Sequence, residues 1–218
     1  MDGLAEQIDI YCERTDFSFW AEPVNALTNA AFLVAALIMW RRSRGLPLGR
    51  VLCVILAAIG TGSFLYHTFA TQWAALSDVI PIGLFILVYL FAVNWHFLGW
   101  PLWASILGVI GFIPYAIAAT WIFDRLPFFE VSNFYWTVPL LLVVYCVLFS
   151  RQLGETARGM LIGAAILCGS ISIRSVDMAL CPNFPLGTHF LWHCLNGVML
   201  GWMIEVYRRN RLKSAPRT

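Results

Sequence analysis

Long apolar runs alternate with short polar ones along most of this chain. A helix needs about 20 apolar residues to cross a hydrocarbon core. Seven runs come up to that length, at roughly 23–40, 51–69, 78–97, 101–121, 135–150, 158–178 and 188–207. The fifth reaches it only with Tyr135 and Trp136 at the headgroup level. Only "NWHFLGWP" separates the third run from the fourth. Pro101 suits the first turn of a helix, so a tight turn is expected there. Pro81, Pro114 and Pro139 lie inside runs or near their starts, where proline kinks a helix. The pattern predicts an all-α membrane protein, a seven-transmembrane-helix bundle over 23–207. A segment at 1–22 precedes it and a basic tail at 208–218 follows. No repeat, low-complexity run or soluble domain interrupts the pattern.

Composition sharpens this picture. The 218 residues are 60% hydrophobic and 12% charged, with a mean hydropathy of +0.75. Soluble domains carry about 25% charged residues. A water-soluble globule of this size is excluded. The first two dozen residues show no basic region followed by a short apolar core, so no cleavable signal peptide is expected. The net charge of +2 matters less than where the charges sit. Arg41, Arg42, Arg44 and Arg50 share one connection, Arg151 and Arg158 flank another, and Arg208, Arg209, Arg211, Lys213 and Arg217 form the tail. With seven spans all of these fall on one side, which the positive-inside rule makes the cytoplasm. The other side holds Arg14, Arg125 and the acidic N-terminal segment with Asp2, Glu6, Asp9, Glu13, Asp16 and Glu22. The N-terminus is expected outside and the C-terminus inside.

That orientation sets the depth of the polar residues. The second run ends outward, with His67 near its end and Ser63 one turn deeper on the same face. Asp78 stands where the third run begins. The seventh opens with "GTHFLWHCLNG", whose His189 and His193 lie on one face about 6 Å apart along the axis. Three histidines, an aspartate and a serine thus share the outer layer, while His96 lies at the inner end and reads as an interfacial residue. Ionisable groups inside a membrane are functional candidates by default. Three imidazoles suit zinc, with a fourth position left open as in catalytic sites. "HFLWH" lacks the glutamate of soluble zinc proteases, so Asp78 is the best-placed general base. Arg174 and Asp177, at i and i+3, read either as a structural ion pair or as support for a metal-bound histidine. Asn25 and Asn29 read as an interhelical bonding pair. Cys53, Cys146, Cys168 and Cys194 fall inside helices and read as packing residues.

Ser63-x3-His67, Asp78 eleven residues later and His189-x3-His193 on the last helix together resemble the alkaline ceramidases. These belong to a superfamily of seven-helix membrane hydrolases that includes the adiponectin-type receptors. The segments "YCER…FWAEPVNALTN" and "SVDMALC" look similar as well, and the likeness covers nearly the whole chain. The resemblance implies zinc held by His67, His189 and His193, with Asp78 and Ser63 beside the attacking water. It implies hydrolysis of the ceramide amide to a sphingoid base and a fatty acid. Animal members also have a calcium (Ca2+) site built from acidic residues near the N-terminus. Here Glu13 and Glu22 stand in comparable places, with Asp9 and Asp16 nearby. Cys12 and Cys181 both fall on the outer, oxidising side, where disulfides persist, and the resemblance agrees with a bond between them.

Three other readings stay open on the sequence. One is a lipid-sensing receptor with a structural zinc, against which stands the lack of a soluble domain or long inner loop. Another is a transporter, against which stands the clustering of polar residues on one side. The third is a hydrolase of another lipid amide or ester. The short basic connections point to a bacterial plasma membrane with the site facing the periplasm. In a cysteine-accessibility scan, positions in 2–16 are expected to label from outside and those in 210–218 from inside. Labelling of 2–16 from the cytoplasm would reverse the orientation.

Overall fold

A computed structural model describes residues 2–214; residues 215–218, including Arg217 of the expected tail, lie outside the described residues. Seven long helices run through that range. They are α1 (Pro23–Arg42), α2 (Pro47–Phe69), α3 (Gln72–Phe97), α4 (Leu102–Phe123), α5 (Asn133–Leu148), α6 (Glu155–Ser175) and α7 (His189–Ser214). Each packs on the next and α7 packs on α1, so the bundle closes into a ring. α1 to α4 and α6, together with α5 and the short turn before it, are long and apolar enough to cross a membrane. The chain is a multi-pass integral membrane protein. α7 is as long as α3, but it is more polar than the other six, because His189, His193, Asn196 and Glu205 interrupt its apolar run.

Local chemistry explains where the helices start and stop. Pro23 opens α1, and the Glu13 carboxylate accepts from the backbone N–H of Val24 (2.7 Å) and Asn25 (2.8 Å). Those are orphan donors of a helix N-terminus, satisfied here by a distant side chain. α1 is interrupted at Asn29. The two asparagines do not bond between helices as expected. Asn29 Nδ2 donates to the Asn25 carbonyl (2.9 Å) and Asn25 Nδ2 to Glu22 (3.0 Å), so the pair is used within α1's own first turns. α2 ends in Ala70, which takes a left-handed conformation (φ 47°). The N-terminal segment clasps that turn: Ile8 N donates to the Ala70 carbonyl (2.7 Å) and Gln72 N to the Glu6 carbonyl (3.0 Å).

This clasp corrects one boundary. α3 begins at Gln72, six residues before the expected start, so Asp78 lies in its second turn and not at its end. The connection between α2 and α3 is only Ala70–Thr71, too short to unwind either helix. At the other end of α3 the expected tight turn is present: a π turn over Val93–Phe97, Gly99 at φ 68° and Pro101 capping α4.

The buried centre is built from α2, α6 and α7, where Leu52, Leu56, Ile59, Met160, Ile171 and Ile204 are fully enclosed. Small residues bring backbones close, as between membrane helices generally. Gly197 and Gly201 of α7 face Ala31 and Ala35 of α1. At the end of the bundle away from the histidines, Glu205 accepts from Arg42 (3.0 Å), Arg208 (2.7 Å) and Arg209 (2.8 Å), which ties α1 to α7. The closest approach is at Gly62, where a Cβ would overlap the Ser77 carbonyl of α3. Gly62→Leu is therefore expected to lower the melting temperature sharply or prevent folding, since overpacking typically costs about 1–3 kcal/mol or more. A melting temperature equal to wild type would contradict that contact.

Candidate metal centre

α2 contributes His67 and α7 contributes His189 and His193, all three nearly inaccessible to solvent. Their ring centroids lie 4.7 to 5.1 Å apart. One nitrogen from each ring falls within 4.8 Å of the other two, a spacing that could hold a metal ion. The electrostatics of the rings fit this. His67 Nε2, His193 Nε2 and His189 Nδ1 are buried with no hydrogen-bond partner among the described residues. An unpaired buried imidazole nitrogen is costly. Three that converge are what a cation with nitrogen ligands requires.

The opposite nitrogens are held. His67 Nδ1 lies 2.6 Å from Glu22 Oε2. His193 Nδ1 lies 3.0 Å from the Thr28 hydroxyl, which also lies 2.7 Å from the Val24 carbonyl. A hydroxyl that gives its proton to that carbonyl accepts from Nδ1–H. In both rings the arrangement leaves the Nε2 lone pair free, the usual role of groups behind metal-binding histidines. Glu22 is itself anchored. Arg14 Nε donates to its Oε1 (2.6 Å) and Asn25 Nδ2 to its Oε2 (3.0 Å). Burial opposes ionisation of Glu22, but its bonds to His67, Asn25 and Arg14 outweigh that and hold its carboxyl below the usual glutamate range.

His189 is positioned through its backbone. Asp177, buried just beyond α6, accepts from the N–H of His189 (2.9 Å) and Thr188 (2.6 Å) with one oxygen and of Cys12 (2.9 Å) with the other. Of the two expected readings of Arg174 and Asp177, the ion pair does not form. The helix breaks at Val176, and Asp177 opens a separate turn, Asp177–Leu180. Arg174 instead donates to the Ser132 hydroxyl (2.7 Å) and the Tyr11 hydroxyl (3.2 Å). Tyr11 stacks on the His189 ring with centroids 3.7 Å apart. Burial raises the Tyr11 phenol above its ordinary pKa, so it keeps its proton. The expected Cys12–Cys181 disulfide is present and joins the residue after Tyr11 to the loop before α7.

Ser63 and Asp78 lie beside the histidines, with Ser63 placed to hydrogen-bond the Asp78 carboxylate. Both stand at one end of a long cavity lined by apolar positions of α3, α5 and α7. It spans Asp78 to Val93 on α3, about 22 Å at 1.5 Å per residue.

The four acidic residues expected to hold calcium are not brought together. Among the described residues the histidine trio is the one group with metal-ligand spacing. Glu22 bonds Arg14 and His67, Glu13 caps α1, Asp16 accepts from the Ser18 N–H (2.7 Å) in a local turn, and Asp9 is exposed. Arg14 lies where a cation bound to Glu22 would sit, and its guanidinium also donates to the carbonyls of Asp16 (2.9 Å) and His67 (3.0 Å). Arg14, Thr28 and Tyr11 escaped the sequence reading. "YCER" and "NALTN" gave no sign that these residues back a histidine.

A profile of the family described as Ceramidase matches residues 8–215, nearly the whole chain. The chain belongs to the ceramidase family. No curated protein matches it significantly. Ceramidase-family membership implies a hydrolase acting on an amide bond of a membrane lipid. The match takes in all three histidines, Ser63, Asp78 and both bonded cysteines.

Glu22→Gln in this ceramidase-family chain is expected to weaken metal binding about 10–100-fold, the usual effect of losing a residue behind a metal ligand. Glu13→Gln, which touches only α1's N-terminus, is expected to lower stability and leave metal affinity unchanged. Competition with a chromogenic chelator measures both. Wild-type affinity in Glu22→Gln would show that the carboxylate does not hold His67 for a metal.

Proposed function

We propose that the chain is a zinc-dependent intramembrane amidase. It cleaves the amide of ceramide or a ceramide-like lipid to a sphingoid base and a fatty acid. Its seven helices all span the membrane, with the N-terminus outside and the site opening to the outer leaflet. In a bacterial plasma membrane that is the periplasmic side. The observation that carries the reading is the convergence of three unpartnered imidazole nitrogens beside Asp78 and Ser63, at the mouth of an apolar cavity.

His67, His189 and His193 would hold Zn2+. A zinc ion so held supplies Lewis-acid polarisation of the amide carbonyl and makes a neighbouring water more acidic. Asp78 accepts a proton from the attacking water as its oxygen bonds to the carbonyl carbon. When the C–N bond breaks, Asp78 returns that proton to the leaving amine, so one group serves as base and then as acid. The Ser63 hydroxyl steadies the Asp78 carboxylate and can turn to donate to the carbonyl oxygen as it becomes negative. The apolar cavity takes one hydrocarbon chain of the lipid and keeps bulk water from the reacting bond. The stacked Tyr11 ring covers the outer side of His189.

Purified protein assayed on a panel of lipid amides and esters is expected to release fatty acid from ceramides and to lose that activity with a strong chelator. Asp78→Asn is expected to retain the metal while turnover falls about 10²–10⁴-fold. Full activity in Asp78→Asn would remove its acid–base role. Esters cleaved and ceramides left intact would move the substrate class.

A further inference from the structure

Asn196 lies three residues beyond His193 on α7, about 4.5 Å further along the axis on a neighbouring face. It lines the same cavity as Ser63 and Asp78. The residue is 5% exposed, and its Oδ1 is buried with no hydrogen-bond partner among the described residues. The positions of α7 around it that also line the cavity, Trp192, Met199, Leu200 and Met203, are apolar or nearly so. Leaving an amide oxygen unpaired in such a wall is costly, and a native exception calls for an explanation.

The other polar groups of this cavity are accounted for or are remote; Tyr135, whose ring lies 5.1 Å from the Arg174 guanidinium, is not among its buried unpartnered groups. Ser63 and Asp78 serve the reacting bond in the reading above. The Tyr145 hydroxyl donates to Asn94 Oδ1 (3.0 Å). The Tyr89 hydroxyl is also unpartnered, but it stands eleven residues past Asp78 on α3, about 16 Å deeper.

We infer that Asn196 recognises a hydroxyl group of the substrate, carried within one or two carbons of the scissile amide. The inference rests on the hydrolase reading and adds to it a determinant of substrate choice. A carbonyl held between the histidines and Asp78 places the first carbons of the descending chain about one helical turn lower, at the level of Asn196. A carboxamide both donates to and accepts from an alcohol. A plain methylene leaves it unpaired. A charged substituent would need a counter-charge, and among the described residues lining the cavity the only charged side chain is Asp78. Two positions on the descending chains of a ceramide supply such a hydroxyl, the primary hydroxyl of sphingoid carbon 1 lying on the headgroup side. One is the acyl carbon next to the carbonyl, in 2-hydroxy-acyl lipids. The other is sphingoid carbon 3, which follows the nitrogen-bearing carbon along the chain.

Two matched lipid pairs distinguish them, one with and without the acyl 2-hydroxyl and one with and without the sphingoid 3-hydroxyl. The kcat/KM ratio within each pair is measured for wild type, Asn196→Leu, Asn196→Ala and Tyr89→Phe. The shift in melting temperature on adding each lipid is measured alongside. Metal content and the unliganded melting temperature select the variants that fold. Wild type is expected to prefer the hydroxylated member of one pair by about tenfold or more, because a site built to bond a hydroxyl leaves its own group unpaired with the analogue that lacks it. In both Asn196 variants that ratio is expected to fall toward one, and in Tyr89→Phe to persist. The melting-temperature preference is expected to follow the same pattern. Cleavage of both members of each pair with ratios that Asn196 substitutions leave unchanged would overturn the inference and spare the hydrolase. A hydroxyl-dependent melting shift that requires Asn196, with no lipid cleaved, would support the inference and sink the hydrolase reading.

Discussion

Glu22 is a carboxylate taken almost wholly out of water, and most of the histidine end of the molecule is arranged to keep it ionised there. Burying such a charge costs several kcal/mol unless its oxygens are fully engaged. Arg14 reaches it from the N-terminal segment, Asn25 from α1 and His67 from α2. The N-terminal segment, α1 and α2 are thereby fixed at one point. Arg14 does more than neutralise it. The same guanidinium grips the His67 backbone carbonyl while Glu22 grips the ring, so the imidazole is held from both ends. The freedom lost there is what makes Nε2 available in one direction.

Asp177 plays the matching part for α7. It joins the end of α6, the N-terminal segment and the start of α7 by accepting from three backbone N–H groups. Gly187 makes room for it, since a Cβ at that position would overlap the Asp177 carboxylate, and glycine takes its φ of 65° without strain. The disulfide closes the same junction covalently. Two buried carboxylates on either side of the trio therefore do comparable work by different means, one through a ring and one through a helix N-terminus.

Much of the architecture was legible because a lipid environment leaves few options: an apolar run of span length is a helix. The histidine trio was legible from its spacing and from the scarcity of polar residues at that depth. The disulfide followed from both cysteines falling on one side. What escaped the sequence depended on three-dimensional bonding. Glu22 and Glu13 look alike in the sequence, yet one backs a histidine and the other caps a helix. Arg174 and Asp177 have pairing spacing, but a break of one residue sends them to different partners. The start of α3 was misjudged because a two-residue turn clasped by the N-terminal segment holds both helices intact up to Ala70. No local pattern of hydrophobicity records such a clasp.

The polarity of α7 has a consequence for assembly. Two of the three histidines ride on the last of the seven helices to be synthesised, and it is the one that partitions least readily into lipid by its own composition. Glycines against Ala31, Ala35 and Met203 give it a place between α1 and α6. Its place in the bundle thus rests on packing against α1 and α6 more than on its own hydropathy. Until α7 docks, His67 stands alone and the nascent chain holds no complete ligand set. The three imidazoles meet only when the ring of helices closes.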